Sequence, residues 1–425
     1  MLATHPSISL VLGFSIVYFL LVVYLRSRCW KDPTSKFFQT QPAHIPTYSA
    51  HRIQQSLQYA DSLNSTSHPP QGHRKQPPEL CIGVPSVQRD GISYLKPTLG
   101  SLQHGLSAEE RAGLHFVVLL AHLDQKEHQD FGKPWLHNMA DSLPSYADMD
   151  DPGRLGLAQM MERNHTHGTK SKFDYSIVME ECAKTGAPYI LMVEDDVVFM
   201  DGWRHRTIDA LEDAAAKSRD SEAKGAYFLY LRLFYYEGLL GWNAQSWPRY
   251  LGASVATTAS VLCLLLLTRR YLPTARLHLH LTRSSLVLIT LVFTPLLILL
   301  FFAAGANCVL PRPAGVHLMP ENACCGQGLV FPFVTAVEKL LPHFRANVWS
   351  EAPTDSFVEA YADSTGGLRW ALTPVVMQHI GGKSSHGAVR SGGSYVYGDL
   401  TLTPPSVIWN FAFEGNDPRS LAVDR

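Results

Sequence analysis

Three consecutive acidic residues follow an apolar run in the middle of the chain. Glu194, Asp195 and Asp196 come directly after residues 189–193 and before a second apolar run at 197–199. The first run predicts a buried strand, whose carboxyl end is where open α/β sheets bind ligands. Adjacent carboxylates repel one another and are costly to bury unless a cation compensates. The triplet therefore predicts oxygen ligands for Mg²⁺ or Mn²⁺ bridging to a diphosphate; an acidic turn after a strand is the alternative.

Predicted strands and helices alternate on both sides of this triplet. The predicted strands cover residues 80–85, 115–121, 189–193, 227–234 and 370–376. The predicted helices cover residues 50–63, 94–106, 173–185, 207–216, 333–341 and 357–363. Residues 124–170 are expected to be loop-rich, and the tail beyond residue 388, rich in Gly and Pro, to be weakly structured. The alternation predicts a doubly wound α/β domain.

Three apolar segments interrupt or precede this pattern. Residues 8–25 contain no charge and no small-residue cleavage site follows them, which predicts an uncleaved membrane anchor. Residues 251–267 and 286–302 flank a basic loop, which predicts a transmembrane hairpin. A pair of buried core helices is the alternative for these two shorter runs. With the hairpin, the chain has three predicted membrane spans.

The hairpin also bears on which side of the membrane the remaining chain occupies. It returns the chain to the side it left, so the segments before and after it share a compartment and can form one domain. The basic loop between the runs favours the cytosol, which predicts a lumenal domain. Sequons at Asn64 and Asn164 agree with the lumen. Basic residues that follow the first span, such as Arg26 and Arg28, favour the opposite orientation.

Composition narrows the class of protein further. The 425 residues are 46% hydrophobic and 17% charged, which fits a globular protein with membrane segments. The formal net charge is -1, so no basic face for nucleic acid is indicated. The seven cysteines show no spacing typical of a zinc module. In an oxidising lumen they could form disulfides, and the adjacent Cys324 and Cys325 could pair with each other or with distant partners.

Five groups of residues occur in order along the chain. They are Glu194-Asp195-Asp196; residues 229–233 with Gly238 to Trp242; the hairpin; Cys324-Cys325 with Phe331-Pro332; and His379-Ile380-Gly381 with Ser384-Ser385. In this order they resemble the family of post-GPI attachment to proteins factor 4, the Golgi GPI N-acetylgalactosamine transferases, and its fungal relatives. The acid triplet and the final group also resemble N-acetylglucosaminyltransferase IV.

The resemblance implies a fold, a location and a reaction. It implies a GT-A glycosyltransferase fold that is split by a transmembrane hairpin and preceded by an N-terminal span. It implies a Golgi membrane protein with a lumenal catalytic domain. The implied donor is UDP-GalNAc, and the implied acceptor is the first mannose of the glycan on GPI-anchored proteins.

The resemblance and the acidic chemistry together predict metal-assisted sugar transfer. Bound Mn²⁺ or Mg²⁺ would neutralise the diphosphate leaving group of the UDP-sugar. We assign Asp196 as the direct ligand, Glu194 as a ligand through water or a contact to the ribose, and Asp195 as a supporting donor-site residue. His379, at the end of a predicted strand, would complete the metal shell. A structural histidine is the alternative there.

Three further residues receive candidate roles. Transfer from an α-linked donor to a β linkage inverts the anomeric centre and needs a general base, for which we propose Asp355 at the start of a predicted helix. An N-cap or first-turn acid is compatible with that role. Arg89, after the first strand, would bind uracil or phosphate, or lie on the surface. Lys383 would meet the diphosphate, or be solvated.

The predicted organisation and function can be stated together. The segments are an anchor (1–31), a stem (32–78), two parts of one catalytic domain (79–248 and 305–388), the hairpin (249–304) and a tail (389–425). The predicted partners are UDP-GalNAc, a GPI glycan and the bilayer, with no nucleic acid. The alternatives are an N-glycan N-acetylglucosaminyltransferase-like enzyme and a non-catalytic membrane protein that binds GPI.

Overall fold

The chain divides into two compact units. The computed structural model describes residues 6–64, 77–89, 91–149, 151–164, 167–222, 225–271, 281–319, 325–382, 395–397, 400–402 and 408–421. The helical unit comprises Met1–Ala43 and Glu237–Arg312, and the sheet unit comprises His44–Tyr236 and Pro313–Arg425. Each unit is therefore built from segments that are far apart in the sequence.

The described elements are as follows in chain order. The α-helices are α1 (Pro6–Arg28), α2 (Thr40–Ala43), α3 (Tyr48–Ser62), α4 (Leu95–Gln103), α5 (Ala108–Ala112), α6 (Pro134–Met139), α7 (Pro152–Arg163), α8 (His167–Ala183), α9 (Trp203–Glu222), α10 (Trp247–Tyr271), α11 (Arg283–Leu288), α12 (Thr294–Ala304), α13 (Ala306–Val309), α14 (Leu341–Ala346), α15 (Thr354–Thr365) and α16 (Pro418–Leu421). The strands are β1 (Leu80–Ser86), β2 (Leu114–Leu120), β3 (Tyr189–Val193), β4 (Val197–Phe199), β5 (Tyr227–Arg232), β6 (Gly315–Leu318), β7 (Gly328–Pro332), β8 (Gly367–Thr373), β9 (Met377–His379), β10 (Tyr395–Tyr397) and β11 (Leu400–Leu402). Two π-helical segments, Ile289–Phe293 and Thr335–Leu340, precede α12 and α14.

Seven strands of the sheet unit form one mixed sheet in the order β2-β1-β3-β7-β5-β8-β6. Strand β1 runs parallel to β2 and β3, and β5 runs parallel to β8. Strand β7 is antiparallel to both β3 and β5, and β6 is antiparallel to β8. The predicted α/β class is confirmed, but the sheet is mixed and not the mostly parallel sheet that a doubly wound domain has. The reason is that β7, supplied by the later part of the chain, enters between β3 and β5.

Strands from before and after the apolar helix pair share this sheet. Tyr189 of β3 is paired with Pro332 of β7, and Val193 is paired with Gly328. On the other side of β7, Arg232 of β5 is paired with Leu329. One edge of β3 and both edges of β5 therefore obtain their hydrogen-bond partners only when the later segment of the chain folds with the earlier one.

Helix α8 packs closely on the first strand. A Cβ atom at Gly83 of β1 would lie 2.3 Å from Val178 of α8, so no larger residue fits without movement. Cys81 of β1 and Cys182 of α8 form a disulfide with a Cα–Cα distance of 5.5 Å. These contacts hold β1, which ends at Ser86, against α8, the helix that precedes β3. The packing of α8 on β1 thereby helps to position the ends of β1 and β3 beside the acid triplet.

The region between the second and third strands contains helices that we did not predict. We expected residues 124–170 to be loop-rich, but they include α6, α7 and the start of α8. Helix α7 begins with a clear signal, because Asp151 accepts a hydrogen bond from the N–H of Gly153 and Pro152 occupies the first turn. Gly153 and Gly156 lower the intrinsic helix propensity of this segment, which hid the helix from its apolar pattern.

Part of the expected stem belongs to the sheet unit. Helix α3 packs on α4 so tightly that a Cβ atom at Gly100 would lie 2.5 Å from the carbonyl oxygen of Ser56. Arg52 is fully buried and donates to the carbonyl of Phe199 at 2.8 Å and to Asp201 at 3.0 Å. Residues 48–62 are therefore a packed helix and not a spacer, which corrects the stem expectation for that stretch.

The helical unit contains three helices that are long and apolar enough to cross a membrane. They span Ile8–Arg28, Glu237–Tyr271 and Arg283–Ala304. A disulfide with a Cα–Cα distance of 5.6 Å joins Cys29, after the first of these helices, to Cys308, after the third. The carboxylate of Asp32 accepts from the backbone N–H of Cys308 at 2.8 Å. The finding fits the expected membrane protein with three spans.

The structure also shows the state of cysteines outside the two disulfides described above. Cys325 is disulfide-bonded, as expected of a cysteine in an oxidising lumen, whereas Cys324 lies outside the described residues. Cys263 is an exposed free thiol.

Candidate metal centre

A short antiparallel ribbon brings the acid triplet and His379 together. Strand β4 follows the triplet directly, and its residue Val197 is paired with His379 of β9. The N–H of Ile380 donates to the carbonyl of Asp196 at 2.8 Å, which extends the ribbon by one step. On the other side, the N–H of Glu194 donates to the carbonyl of Gln327 at 3.0 Å. These backbone contacts hold the acids at the end of β3 and place the imidazole beside them.

The side chains of Glu194, Asp196 and His379 form a compact set of candidate ligands. One ligand atom from each lies within 4.8 Å of the others. Nε2 of His379 lies 3.2 Å from Oδ2 of Asp196. Nδ1 of His379 lies 3.3 Å from the carbonyl oxygen of Ile408, which can only accept, so Nδ1 carries a proton. Nε2 then faces Asp196: it donates to Oδ2 when the ring is protonated, and its lone pair is available to a metal ion when the ring is neutral.

The ionisable groups of this set shift one another's pKa values. Burial opposes protonation of His379, but the adjacent carboxylate of Asp196 outweighs it and the pKa of His379 is raised. Burial also opposes ionisation of Asp196, yet His379 and Arg89 hold the pKa of Asp196 below its usual range. Burial, and then the charge of Asp196, raise the pKa of the partly exposed Glu194. A divalent cation between these groups would relieve the same repulsion.

Several buried polar atoms at this site have no partner among the described residues. They are Oδ1 of Asp196, Nε of Arg89, the hydroxyl of Tyr175 and Oε1 of Gln327. Buried polar atoms are normally paired, so a group of unpaired ones at one place marks where a ligand supplies partners. Two carboxylates, an imidazole and an unpaired carboxylate oxygen fit the hard divalent cation that the sequence predicts.

Tyr175 and Gln327 were not among the predicted site residues. Tyr175 lies on α8, and burial together with the charge of Glu194 raises the pKa of its hydroxyl well above the usual range. Gln327 precedes β7 and is almost fully buried. Neither carries a local sequence signal, because a tyrosine on a helix and a glutamine before a strand are common in any fold.

Arg89 is engaged with the acids. Its Nη1 and Nη2 donate to the two oxygens of Asp195 at 2.9 Å and 2.7 Å, and Nη2 also donates to Asp196 at 3.2 Å. Its guanidinium lies over the ring of Tyr94, 5.3 Å from the centroid. Because the side chain is only 9% exposed, the surface-arginine alternative is wrong. In this structure Arg89 compensates the charge of two acids, and binding of uracil or phosphate stays a prediction.

A chain of side-chain hydrogen bonds also holds Asp195. The N–H of Asp130 donates to Nδ1 of His128 at 3.2 Å, so the ring proton lies on Nε2. Nε2 lies 3.0 Å from the hydroxyl of Ser86, which in turn donates to Asp195. Burial lowers the pKa of His128 to about 4, so the ring is neutral near pH 7. Both oxygens of Asp195 are thus occupied, which fits a supporting role and not that of a direct metal ligand.

Asp355 lies at the edge of the same cluster. It stands in the first turn of α15, and its Oδ1 accepts from the N–H of Ser356 at 2.6 Å. A Cβ atom at Gly326 would lie 3.5 Å both from the Cβ atom of Asp355 and from Oε1 of Glu194. The absence of a side chain at Gly326 therefore lets Asp355 and Glu194 lie near each other. Asp355 is a first-turn acid and a neighbour of the candidate metal ligands at once, and its role as a base stays a prediction.

Other predicted and possible sites have different outcomes. Lys383, Ser384 and Ser385 lie outside the described residues.

A second group of possible ligands consists of His122, Glu127 and Glu162. There the N–H of Gln88 donates to Nε2 of His122 at 2.9 Å, so Nδ1, which faces Glu127, carries the proton. A protonated nitrogen cannot bind a metal, and this second group is not a credible centre.

Two comparisons with known proteins bear on the chain. The family model described as GPI-N-acetylgalactosamine transferase PGAP4 matches residues 80–378. An Alpha-1,3-mannosyl-glycoprotein 4-beta-N-acetylglucosaminyltransferase B from Danio rerio is 29% identical over 167 residues, which cover 35% of this chain and 28% of that relative. The match to this relative is therefore partial in both proteins. The family match runs from the first strand of the sheet to the residue before His379 and shows that the chain belongs to the GPI-N-acetylgalactosamine transferase PGAP4 family of glycosyltransferases.

Proposed function

We propose that the chain transfers N-acetylgalactosamine from UDP-GalNAc to a mannose of the GPI glycan, by a metal-dependent and inverting reaction on a GT-A-like domain. The observation that carries this proposal is the set of Glu194, Asp196 and His379 at the end of β3, with Oδ1 of Asp196 buried and unpaired among the described residues. The family match supports the donor and the acceptor. The mixed α/β sheet supports the fold assignment.

Several residues of the chain would bind the metal ion and the donor. Asp196, His379 and Glu194 would hold Mn²⁺ or Mg²⁺, which when bound neutralises charge on the diphosphate leaving group. Arg89 and Ser86 keep Asp195 in place, and Arg89 offsets the negative charge of the triplet. The unpaired hydroxyl of Tyr175 is available to the bound ligand. Lys383 remains a proposed contact to the diphosphate.

Asp355 is the proposed general base. Its carboxylate would accept the proton of the acceptor hydroxyl as that oxygen attacks the anomeric carbon on the face opposite UDP. Its place beside Gly326, which also lies next to Glu194, supports this role because the base must lie close to the donor sugar without being a metal ligand. The half-buried position in the first turn of α15 leaves the carboxylate accessible.

We also propose a Golgi location with the sheet unit in the lumen. The disulfides Cys29–Cys308 and Cys81–Cys182 are typical of an oxidising compartment. The proposed orientation puts Arg269 and Arg270, in the last turn of α10, on the cytosolic side of the second span. That arrangement follows the positive-inside tendency. The exposed Asn64 and Asn164 are available there for glycosylation.

A second candidate reaction is transfer of N-acetylglucosamine to an N-glycan. It is favoured by the partial identity to the Danio rerio N-acetylglucosaminyltransferase. The two reactions would use the same metal and diphosphate site, so the residues of that site do not separate them. The residues that contact the donor sugar and the acceptor would separate the two reactions.

A panel of donors and acceptors tests the proposal. The full chain in detergent or in vesicles is incubated with Mn²⁺ and UDP-GalNAc, UDP-GlcNAc or UDP-Gal, each with a GPI glycan and with an N-glycan. We expect transfer from UDP-GalNAc to the GPI glycan only. Transfer from UDP-GlcNAc to the N-glycan would establish the second reaction instead. Absence of transfer together with absence of UDP binding would favour a non-catalytic GPI-binding protein.

A further inference from the structure

We propose that residues 408–414 of the tail are a positioning segment for His379, and that their packing sets the affinity of the metal centre. The inference rests on the proposed function, because it concerns the same metal site. The family match ends at residue 378, so this segment lies beyond it. The tail was expected to be weakly structured, yet Trp409, Phe411 and Phe413 are buried in the sheet unit.

The first contact is to the imidazole itself. The carbonyl oxygen of Ile408 lies 3.3 Å from Nδ1 of His379 and accepts a hydrogen bond from it. An outer hydrogen bond of this kind selects the ring tautomer and fixes its rotation. Without it the ring could turn or place its proton on Nε2, and the lone pair would no longer face Asp196. Ile408 therefore acts through its main chain on the ligand atom of His379.

A reciprocal pair of hydrogen bonds holds that carbonyl in register. The side chain of Gln378, which is fully buried, donates to the carbonyl of Asn410 at 2.8 Å and accepts from the N–H of Asn410 at 2.9 Å. The glutamine amide thus imitates a neighbouring strand for the tail backbone. Because Gln378 precedes His379 on β9 and Asn410 follows Ile408 by two residues, the pair fixes which carbonyl meets the imidazole.

Glu414 closes the segment against α3. Its carboxylate accepts from the amide of Gln378 at 2.9 Å and from the N–H groups of Thr47 and Ser49 at 2.7 Å and 3.2 Å. It is only 4% exposed. A buried carboxylate is tolerated because four donors surround it. They are the amide of Gln378, the N–H groups of Thr47 and Ser49, and the hydroxyl of Thr47. The tail, β9 and the start of α3 are thereby joined through a single side chain.

The test measures metal binding directly and does not depend on turnover. Mn²⁺ affinity of the full chain in detergent is measured by the loss of the free-ion electron paramagnetic resonance signal, alongside the unfolding temperature. Gln378→Leu removes the reciprocal pair with little change of volume, and Glu414→Ala removes the closing carboxylate. We expect each to weaken Mn²⁺ binding by about 10-fold or more, the range for lost partners of metal-binding histidines.

A matched control separates positioning from general loss of stability. Asp174→Asn alters a buried acid that bonds Tyr146 and Lys170, none of which contacts the candidate ligands in the described structure. We expect it to lower the unfolding temperature while leaving Mn²⁺ affinity unchanged. If Gln378→Leu does not fold, the comparison uses Glu414→Ala and Asn410→Ala, the latter of which removes the side-chain hydrogen bonds of Asn410 to Tyr235 and Phe413.

The outcomes distinguish this inference from the proposed function. Wild-type Mn²⁺ binding that disappears in Asp196→Ala but is unchanged in the tail variants would overturn the positioning role alone. Lack of any Asp196-dependent Mn²⁺ binding in the wild type would overturn the metal site, and the inference with it. Weaker Mn²⁺ binding in the tail variants, measured well below their unfolding temperatures and accompanied by transfer that excess Mn²⁺ restores, supports the inference.

Discussion

Nε2 of His379 lies 3.2 Å from Oδ2 of Asp196, although the whole apolar helix pair separates the two residues in the sequence. The contact exists because β4, which directly follows the acids, pairs with β9, which ends at His379. A lone pair and a carboxylate at this distance repel one another unless a proton or a cation lies between them. The predictions below follow from this contact and from the groups that surround it.

Replacing Asp196 with Ala should abolish both Mn²⁺ binding and sugar transfer, because the variant removes the carboxylate that faces His379. The protein should remain folded, since His379 keeps its bond to the carbonyl of Ile408. Asp213→Asn, in an exposed ion pair with Lys217, is the matched acid-to-neutral control and should behave as wild type. Transfer retained by Asp196→Ala would remove this acid from the mechanism.

Replacing Arg89 with Met should destabilise the sheet unit by about 3 to 5 kcal/mol, the usual cost of leaving buried charges without their partner. Asp195 and Asp196 would then lack compensation. Added Mn²⁺ should raise the unfolding temperature of this variant more than that of wild type, because the cation supplies the missing charge. Arg111→Met breaks a comparable pair with Asp141 and should gain nothing extra from Mn²⁺. Equal Mn²⁺ effects in both variants would contradict the assignment.

Replacing Asp355 with Asn should lower kcat by about 10²- to 10⁴-fold, the usual contribution of a general base. Binding of UDP and Mn²⁺ should be unchanged, because Asp355 neighbours the ligand set without belonging to it. Asp363→Asn, on the same helix and paired with Arg369, provides the control. A parallel fall in metal affinity and kcat would identify Asp355 as part of the metal site instead.

His128 should make stability depend on pH between about pH 6.5 and pH 4. Burial lowers its folded-state pKa from 6.5 to about 4, so in this window the unfolded chain binds a proton that the folded protein does not. Stability should therefore fall as the pH falls through this range, by about 1.4 kcal/mol for each unit between the two pKa values.

The His128 prediction is checked by unfolding temperatures measured from pH 7 to pH 4. His128→Gln keeps a donor for Ser86 and an acceptor for the N–H of Asp130 but does not titrate, so its slope should be shallower than that of wild type. The exposed His137→Gln serves as the comparison. Identical slopes in wild type and His128→Gln would mean that this histidine does not stay neutral in the folded protein.

The proposed orientation predicts that Asn164 carries an N-glycan. The residue is exposed at the end of α7 and would lie in the lumen. Endoglycosidase treatment should increase the gel mobility of the wild-type chain, and Asn164→Gln should reduce that shift. A chain without any glycan at Asn64 or Asn164, with the loop after Arg270 protected from cytosolic protease, would reverse the orientation.

Local patterns in the sequence determined much of the architecture. The apolar run before Glu194 specified a buried strand, and three long apolar segments specified the candidate spans, because burial on both faces and membrane length leave a direct composition signal. Local signals were weaker at α7, where two glycines obscured a well-capped helix. They also misled in the tail, where Trp409, Phe411 and Phe413 recur at every second residue and are buried, although the Gly and Pro content of the tail predicted weak structure.

Only the tertiary structure decided what surrounds the acids. The pairing of β4 with β9 set His379 beside Asp196, and Arg89 turned out to bond the acids from the loop after β1. The carbonyl of Ile408 then selected the tautomer of His379. Each of these contacts joins segments that are distant in the chain, and their geometry depends on strand order and register. The sequence by itself determined which residue types could bind a cation, whereas folding determined which of them meet, because proximity across a sheet is a property of the whole domain and not of any local run.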